Sequence, residues 1–163
     1  MKKEIHNISP VYDNNSKILI LGSFPSVKSR EAQFFYGHPR NRFWQVLSEI
    51  LCEETPISVK DKKAFLLNNH IAVWDVIASC DIEGSSDSSI KNVKANDISL
   101  ILGSAEIKAV FCNGATSFKF YQKYLEKGVD REAIKLPSTS PANAAFNMDK
   151  LINEWKIVLD YLS

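Results

Sequence analysis

The chain has 163 residues, a formal net charge of +1, 45% hydrophobic residues and 24% charged residues. This composition excludes intrinsic disorder, and we expect residues 1–163 to form a single domain with a packed core. No apolar run approaches the ~20 residues that span a bilayer, and no apolar stretch follows the basic N-terminus as in a signal peptide. We therefore expect a cytoplasmic protein without a membrane partner. The three cysteines lie 28 and 32 residues apart, which argues against a disulfide framework, a zinc site or an iron–sulfur cluster.

Strand-like and helix-like segments alternate along the chain. Short apolar runs predict strands, and apolar residues at helical spacing predict helices. In chain order we predict a strand at 17–21, a long loop to 41, helices from Arg42 and over 59–69, a strand at 71–74, a loop at 83–89, a short helix over 97–102, a strand at 107–111, a helix over 115–125, a strand at 133–136 and a last helix over 148–162. This alternation predicts an α/β fold with a parallel sheet.

Unusual residues follow three of the predicted strands. Ligands of parallel α/β sheets bind beyond the carboxyl ends of the strands, and that is where residues 22–41, Asn113-Gly114 and residues 137–143 fall. The first of these clusters is dense in aromatic, amide and arginine side chains. Either a flat ligand stacks on these rings, or Phe34, Phe35, Phe43 and Trp44 pack into the core.

Six short motifs occur in order over nearly the whole chain. They are Gly-Ser-Phe-Pro at 22–25, Tyr-Gly-His-Pro-Arg-Asn-Arg-Phe-Trp at 36–44, Trp-Asp-Val at 74–76, Gly-Ser-Ser-Asp-Ser at 84–88, Asn-Gly at 113–114 and Leu-Pro-Ser-Thr-Ser-Pro-Ala at 136–142. This set resembles the uracil-DNA glycosylase superfamily, and within it the hypoxanthine-DNA glycosylase (DNA-deoxyinosine glycosylase) branch. The resemblance implies three layers, α/β/α, around a mainly parallel four-stranded sheet. It also implies a DNA repair enzyme that flips a deaminated base, above all hypoxanthine, out of the helix and hydrolyses its glycosidic bond.

The resemblance implies four base-binding residues, Ser23, Phe24, Tyr36 and Asn113. Tyr36 matches the aromatic residue that stacks on the flipped base, and the alternative is a packed loop aromatic. The Asn113 amide suits a base edge because it both donates and accepts hydrogen bonds, although Asn-Gly is also a common turn. Phe24 stands where many members of the superfamily carry a carboxylate or amide that activates water, so we expect weak excision of uracil.

Two residues are candidate catalytic groups. The Asn41 amide can position a water or the base and stabilise the transition state, but it is a poor general base. Its structural alternative is to cap the helix that begins at Arg42, and both roles are compatible. Asp75 ends the second predicted strand and is the best candidate for an assisting carboxylate, although it can equally serve as a loop or cap residue.

The remaining candidates are expected to contact DNA. A loop rich in hydroxyl groups and backbone N–H groups follows the fourth predicted strand and suits phosphates. Arg40 and Arg42, with Lys28 and Arg30, are candidates for a local basic patch that the near-neutral net charge conceals. The predicted DNA-binding residues are Ser26, His38, Arg40, Ser138, Thr139, Ser140, Pro141 and Ala142.

No lysine stands out as a Schiff-base nucleophile, so we expect a monofunctional glycosylase that leaves an abasic site. The sequence implies no metal and no organic cofactor, and a monomer is sufficient. Three alternatives stay open. They are a glycosylase of the same fold directed at uracil, xanthine or mismatched thymine, an inactive module that binds damaged DNA, and an α/β protein without a role on DNA.

Overall fold

Two β-sheets of different kinds organise residues 2–163, the part of the chain that this computed structural model describes. The first is a parallel sheet of four strands in the order β3-β2-β6-β7, and the second is an antiparallel sheet of three strands in the order β1-β4-β5. The strands are β1 (Lys2–Ile5), β2 (Ile18–Gly22), β3 (Ile71–Asp75), β4 (Ile77–Ile82), β5 (Lys91–Ala95), β6 (Ala109–Asn113) and β7 (Ile134–Leu136).

Short α-helices connect the strands. They are α1 (Val27–Ala32), α2 (Phe43–Leu51), α3 (Val59–Asn68), α4 (Ser99–Leu102), α5 (Ala115–Tyr124), α6 (Glu126–Val129) and α7 (Met148–Trp155), with 3₁₀ turns at Asp87–Ser89 and Lys156–Tyr161. Among the described residues, no helix is both long and apolar enough to cross a membrane.

The parallel sheet carries helices on both of its faces. Ile18 and Ile20 of the fully buried strand β2 pack into a core with residues of α2, α3 and α7. Leu19 and Leu21 point to the other face and pack with residues of α4 and α5. A strand buried on both faces is an uninterrupted apolar run, which is the pattern seen in the sequence. The predicted α/β/α arrangement around a four-stranded parallel sheet is confirmed.

Two of the predicted elements differ in the structure. The loop predicted over residues 22–41 contains α1, and the last helix changes to 3₁₀ geometry at Lys156 instead of continuing to Leu162. The strands of the parallel sheet are all present, with bounds moved by one or two residues.

The antiparallel sheet was not predicted at all. Its outer strands β1 and β5 are largely exposed, so they lack the apolar run or the clean alternation that identifies a strand in a sequence.

The antiparallel sheet lies at the carboxyl edge of the parallel sheet. After β3 the chain passes through Val76, whose N–H donates to the Gly22 carbonyl (2.8 Å), and continues as β4. Strand β1 pairs with β4, and the backbone N–H of His6 extends this pairing by donating to the Ala78 carbonyl (2.7 Å). This arrangement places His6 next to the end of β3.

Candidate active site

A cavity of about 510 Å³ opens at the carboxyl edge of the parallel sheet. Its walls come from the segments that follow β2, β3, β6 and β7 and from the loop before β5. Of the sequence-predicted site residues, all but Arg40 line it: Ser23, Phe24, Ser26, Tyr36, His38, Asn41, Asp75, Asn113, Ser138, Thr139, Ser140, Pro141 and Ala142. A volume of this size is within the range of small-molecule sites.

One wall of the cavity, the amide wall, consists of Asn41, Asn113 and Thr139. The Thr139 hydroxyl donates to Asn41 Oδ1 (2.8 Å) and accepts from Asn113 Nδ2 (3.0 Å). The backbone N–H of Thr139 donates to Asn113 Oδ1 (3.0 Å). Thr139 is fully buried, so its side chain holds the two asparagines and does not reach a phosphate, in contrast to the sequence-based expectation.

The hydrogen bonds to the Asn41 side chain also determine which end of its amide faces the cavity. The backbone N–H of Phe43 donates to Asn41 Oδ1 (3.0 Å), as does Thr139. Both groups donate, so the acceptor must be the amide oxygen. The Asn41 side chain therefore supports the start of α2, as its structural alternative predicted. It also presents its Nδ2 group, which has no protein partner within residues 2–163, as a donor on the cavity side.

Tyr36 lies on the floor of the cavity with one face of its ring already covered. The ring stacks on Phe43 with centroids 3.9 Å apart and an angle of 16° between the planes. The buried Tyr36 hydroxyl makes no well-formed hydrogen bond within residues 2–163, although the nearby Asn113 amide partly stabilises its ionised form. Burial, and next the negative charge of Asp75, raise the pKa of Tyr36 well above its usual range. The side chain therefore stays neutral and offers an O–H donor.

A second wall, the carboxylate wall, is formed by Asp75 and Asp87, which line the cavity, together with His6, which contacts Asp75 without lining the cavity. Asp75 is 4% exposed, and its Oδ2 atom lies 2.8 Å from His6 Nε2. Its Oδ1 atom makes no hydrogen bond within residues 2–163. A buried carboxylate requires such a partner because burial in an apolar environment is otherwise costly. Sequence reasoning missed His6, since a lone histidine near the N-terminus carries no signal until the antiparallel sheet is known.

Gly22 leaves the space that the Asp75 carboxylate occupies. A Cβ atom at Gly22 would lie 2.3 Å from Asp75 Oδ1 and 3.1 Å from the Tyr36 hydroxyl. The Asp75 carboxylate and the Tyr36 phenol therefore meet at the end of β2 only because this strand ends in glycine. The Gly-Ser-x-Pro motif thus begins with a steric requirement of the site.

Asp87 is a second carboxyl group of the cavity and was also missed as a site residue. It belongs to an exposed loop, but its carboxyl group is turned toward the protein, where the Ser23 hydroxyl lies 3.4 Å away. Partial loss of water raises the pKa of Asp87, and hydrogen bonds from Thr116 and Ser23 oppose this shift. The loop at 83–89 therefore closes the cavity on the side of the antiparallel sheet.

Phe24 contributes apolar surface and no polar group. It is 8% exposed and packs edge-on against the His6 ring at 6.0 Å. The Arg30 guanidinium lies 5.6 Å from the centroid of its ring. As expected from the sequence, this position cannot activate a water.

The loop from Ser138 to Ala142 is ordered by its own hydroxyl groups. Ser138 Oγ accepts from the Ser140 N–H, and Ser140 Oγ accepts from the Ala142 N–H, both at 3.1 Å. Trp155 Nε1 anchors the start of the loop through the Pro137 carbonyl (2.9 Å). Exposed Pro141 and Ala142 lie at the tip, where the loop is open to a ligand.

The expected basic patch is only partly available. The Arg42 guanidinium donates to the carbonyls of Ser140, Asn143 and Phe146 and so holds the same loop. Arg30 pairs with Glu4 (3.4 Å) and the Gly84 carbonyl (2.6 Å). Both guanidinium groups therefore bind within the protein, and the basic patch stays a prediction. Lys28 pairs with Glu31 on the surface at 3.5 Å.

Three other predicted DNA contacts remain in suitable places. Arg40 is exposed and its side chain has no partner within residues 2–163. His38 Nδ1 accepts from the Arg40 N–H (3.0 Å), which leaves its Nε2 atom for a ligand. Ser26 lines the cavity but also caps α1 by accepting from the Ser29 N–H at 3.1 Å.

Known proteins similar to this chain share its fold over nearly its whole length. The sequence model of the Uracil DNA glycosylase superfamily matches residues 9–161. Two relatives are named "Hypoxanthine DNA glycosylase". The one from Methanosarcina acetivorans is 35% identical over 91% of this chain and 93% of its own length, and the one from Methanosarcina barkeri is 37% identical over 88% of this chain and 89% of its own.

A solved structure agrees with the sequence matches. It is a solution NMR structure of a Methanosarcina acetivorans protein provisionally classed as a uracil DNA glycosylase. It has a TM-score of 0.81 and 34% identity, and the match covers 95% of this chain and 96% of that one. Family match, relatives and fold agree, and the chain belongs to the uracil DNA glycosylase superfamily.

Proposed function

We propose that this protein is a DNA glycosylase that flips hypoxanthine out of DNA and hydrolyses its glycosidic bond, leaving an abasic site. The observation that carries the proposal is the meeting of Asn41, Asp75, Asn113 and Tyr36 in one cavity at the carboxyl edge of the parallel sheet. The relatives named "Hypoxanthine DNA glycosylase" match over nearly the whole chain and support hypoxanthine as the base. We further propose that it acts as a monomer in the cytoplasm.

The flipped base stacks on the Tyr36 ring and meets the amide wall with its polar edge. Only the face of Tyr36 opposite Phe43 is free, because Phe43 covers the other face. Hypoxanthine presents the acceptors O6 and N7 and the donor N1–H. Donors from Asn41 Nδ2 and Asn113 complement the two acceptors.

Bond cleavage proceeds through a positively charged, oxocarbenium-like sugar. The electron pair of the C1′–N9 bond moves to the purine, and donors on the amide wall stabilise the negative charge that develops there. The Asp75 carboxylate stabilises the positive sugar and positions a water. That water adds its oxygen to C1′, and its two protons end on the new hydroxyl group and on the released base.

Phe24 argues against uracil as the main substrate. Many members of the superfamily carry a carboxylate or amide at this position that activates water, and the buried phenyl ring here supplies neither. Release of hypoxanthine depends more on stabilisation of the leaving base, which the amide wall provides. We therefore expect little excision of uracil.

A strand-cleavage assay tests the function. Duplexes that carry one deoxyinosine or one deoxyuridine are incubated with the protein, and half of each sample is then treated with alkali. We expect cutting at inosine only after alkali, and little cutting at uridine. Cutting at uridine alone would overturn the proposed substrate. Cutting without alkali would overturn the monofunctional mechanism.

The variant Asn41→Ala separates an enzyme from an inactive binding module. We expect it to lose excision by about a hundredfold or more and to keep its affinity for DNA. Asn15→Ala is the matched control because Asn15 is exposed and lies before β2, at the opposite edge of the sheet. Full activity in the Asn41 variant would contradict the role of the amide wall.

A further inference from the structure

The carboxylate wall contains a residue pair whose arrangement the proposed function does not yet explain. His6 directly follows β1, the N-terminal strand of the antiparallel sheet, and Asp75 ends a strand of the parallel sheet. Their side chains are 1% and 5% exposed, and His6 Nε2 lies 2.8 Å from Asp75 Oδ2. A purely structural carboxylate has no need to be held at the edge of a ligand cavity in this way.

The hydrogen bonds of His6 identify its tautomer. The backbone N–H of Ile8 donates to His6 Nδ1 (3.3 Å), so Nδ1 carries the lone pair and Nε2 carries the proton. The ring is therefore a neutral imidazole that donates to Asp75. A second proton at Nδ1 would face the Ile8 N–H and leave that donor without an acceptor.

Aromatic side chains hold the imidazole in this orientation. Phe24 and Phe35 each lie 6.0 Å from it between ring centroids, and Trp74 lies 6.4 Å away. This packing prevents the ring from rotating, so that Nε2 keeps pointing at Asp75.

The hydrogen bond from His6 distinguishes the two oxygens of the Asp75 carboxylate. Oδ2 is engaged by His6, and Oδ1 is the oxygen close to the positions of Gly22 and the Tyr36 hydroxyl on the cavity floor. One oxygen is thus held, and the other is left for the reaction.

We propose that His6 is a positioning residue for base excision, whose neutral imidazole holds the Asp75 carboxylate so that Oδ1 faces the sugar and the attacking water. This inference rests on the proposed function of the site. It assigns to the antiparallel sheet, and to its first strand in particular, a part in catalysis. His6 itself does not touch the substrate.

Other ionisable groups surround Asp75 and must be considered in a pH experiment. Tyr36 lies on the cavity floor and Asp87 in the loop at 83–89. The negative charge of Asp75 contributes to the raised pKa of both groups. The ion pair of Arg30 with Glu4 lies behind Phe24. All of these groups stay in place in the variants below, so a difference between variants reports on His6.

Two substitutions of similar chemistry differ in reach. In His6→Gln the amide nitrogen occupies the position of Nε2 and can still donate to Asp75. In His6→Asn the side chain is one carbon shorter, so its amide oxygen can accept from the Ile8 N–H at the position of Nδ1 and no donor reaches Asp75. We measure single-turnover excision between pH 5 and pH 9 on duplexes containing inosine, uracil or xanthine, and we use whichever base the wild-type protein releases.

We expect His6→Asn to slow excision at pH 7 by about ten- to a hundredfold, as expected for loss of a hydrogen bond to a charged group. His6→Gln should stay within about fivefold of the wild type, because it keeps a donor to Asp75. In the Asp75→Asn background, His6→Asn should have no further effect.

The matched control is His70→Asn, which removes another histidine. His70 precedes β3 at the opposite edge of the sheet and has a φ of 63°, a conformation that asparagine tolerates. We expect a wild-type rate and profile. Thermal unfolding of each variant shows whether it is folded.

Several outcomes would overturn the inference. A wild-type rate in His6→Asn would do so, and so would an equal loss in the Asp75→Asn background, which would indicate a merely structural role. If the wild-type protein releases uracil but not hypoxanthine, the proposed substrate fails and the part of His6 is still decided on uracil. Release of none of the three bases would overturn both.

Discussion

The two walls of the cavity differ in what orients their functional groups. The amide wall is neutral, and backbone N–H groups of Phe43 and Thr139 orient its asparagines. The carboxylate wall carries charge, and a buried imidazole from another sheet orients Asp75. Neutral amides need only local partners, whereas a buried carboxylate needs a dedicated donor because its desolvation is costly. Each wall is therefore sensitive to a different kind of substitution.

The largest effect is expected at the carboxylate wall from Gly22→Ala. The new methyl group would meet Asp75 Oδ1 at 2.3 Å, so the carboxylate or the strand has to move. Displacement of a catalytic group by about 1 Å costs on the order of a hundredfold in rate. We expect excision to fall by at least that factor. Gly128→Ala, where no atom lies within 4 Å of the new carbon, is the control, and full activity in Gly22→Ala would refute the steric argument.

The amide wall is expected to respond strongly to Thr139→Val. Valine has the shape of threonine but removes one of the two donors to Asn41 Oδ1 and the acceptor of Asn113 Nδ2. We expect a loss of about 1–3 kcal/mol in the free energy of unfolding and a tenfold or larger loss of excision. Thr139→Ser should restore most of both, since it keeps the hydroxyl. Thr55→Val, at an exposed threonine that bonds only Ser48, should stay active, and equal losses there would contradict the assignment.

Substitutions of Arg42 and Arg40 distinguish two roles, which are support of the amide wall and contact with DNA. Arg42→Gln removes the donors that hold the loop after β7 and should destabilise the protein by about 1.5–3 kcal/mol. Arg40→Gln should leave the unfolding midpoint unchanged. It should lower DNA affinity a few-fold and reduce the slope of log affinity against log salt by about one. Denaturant titration and binding at several salt concentrations distinguish the two, and the reverse pattern would show that their roles are exchanged.

The smallest effect is expected between the walls, from Tyr36→Phe. The ring and its stacking stay, and a buried hydroxyl without a well-formed partner is removed, so excision should change less than tenfold. Tyr36→Leu should lose more, about 1–3 kcal/mol of base stacking.

Tyr36→Phe is also expected to change the way in which the free energy of unfolding depends on pH. Burial raises the pKa of Tyr36 in the folded state, while the unfolded chain releases this proton near pH 10. The folded protein then holds one proton more than the unfolded chain, so stability contributed by Tyr36 is present below pH 10 and falls as the pH rises above it. We expect the wild-type protein to lose stability relative to Tyr36→Phe between pH 9 and pH 11. Parallel unfolding curves over this range would contradict the buried state of the hydroxyl.

Prediction from the sequence succeeded where a signal is local. The apolar run before Gly22 identified the central strand, and amide and hydroxyl side chains after the strands identified the amide wall. It failed for β1 and β5, which are short and exposed, and therefore for His6, whose role depends on them. Arg42 and Arg30 look alike in a sequence, and only the folded loops reveal the carbonyls and the carboxylate that they bind.

The sequence by itself determined the parallel sheet, the edge at which a ligand binds and the motifs of the superfamily, because strand periodicity and strand-end residues are written in consecutive positions. The tertiary structure decided which atoms face the ligand. The free Nδ2 group of Asn41, the buried hydroxyl of Thr139 and the pairing of His6 with Asp75 depend on contacts between residues 69 to 98 positions apart. Such contacts form only when the loops and both sheets are folded together, and no local pattern encodes them.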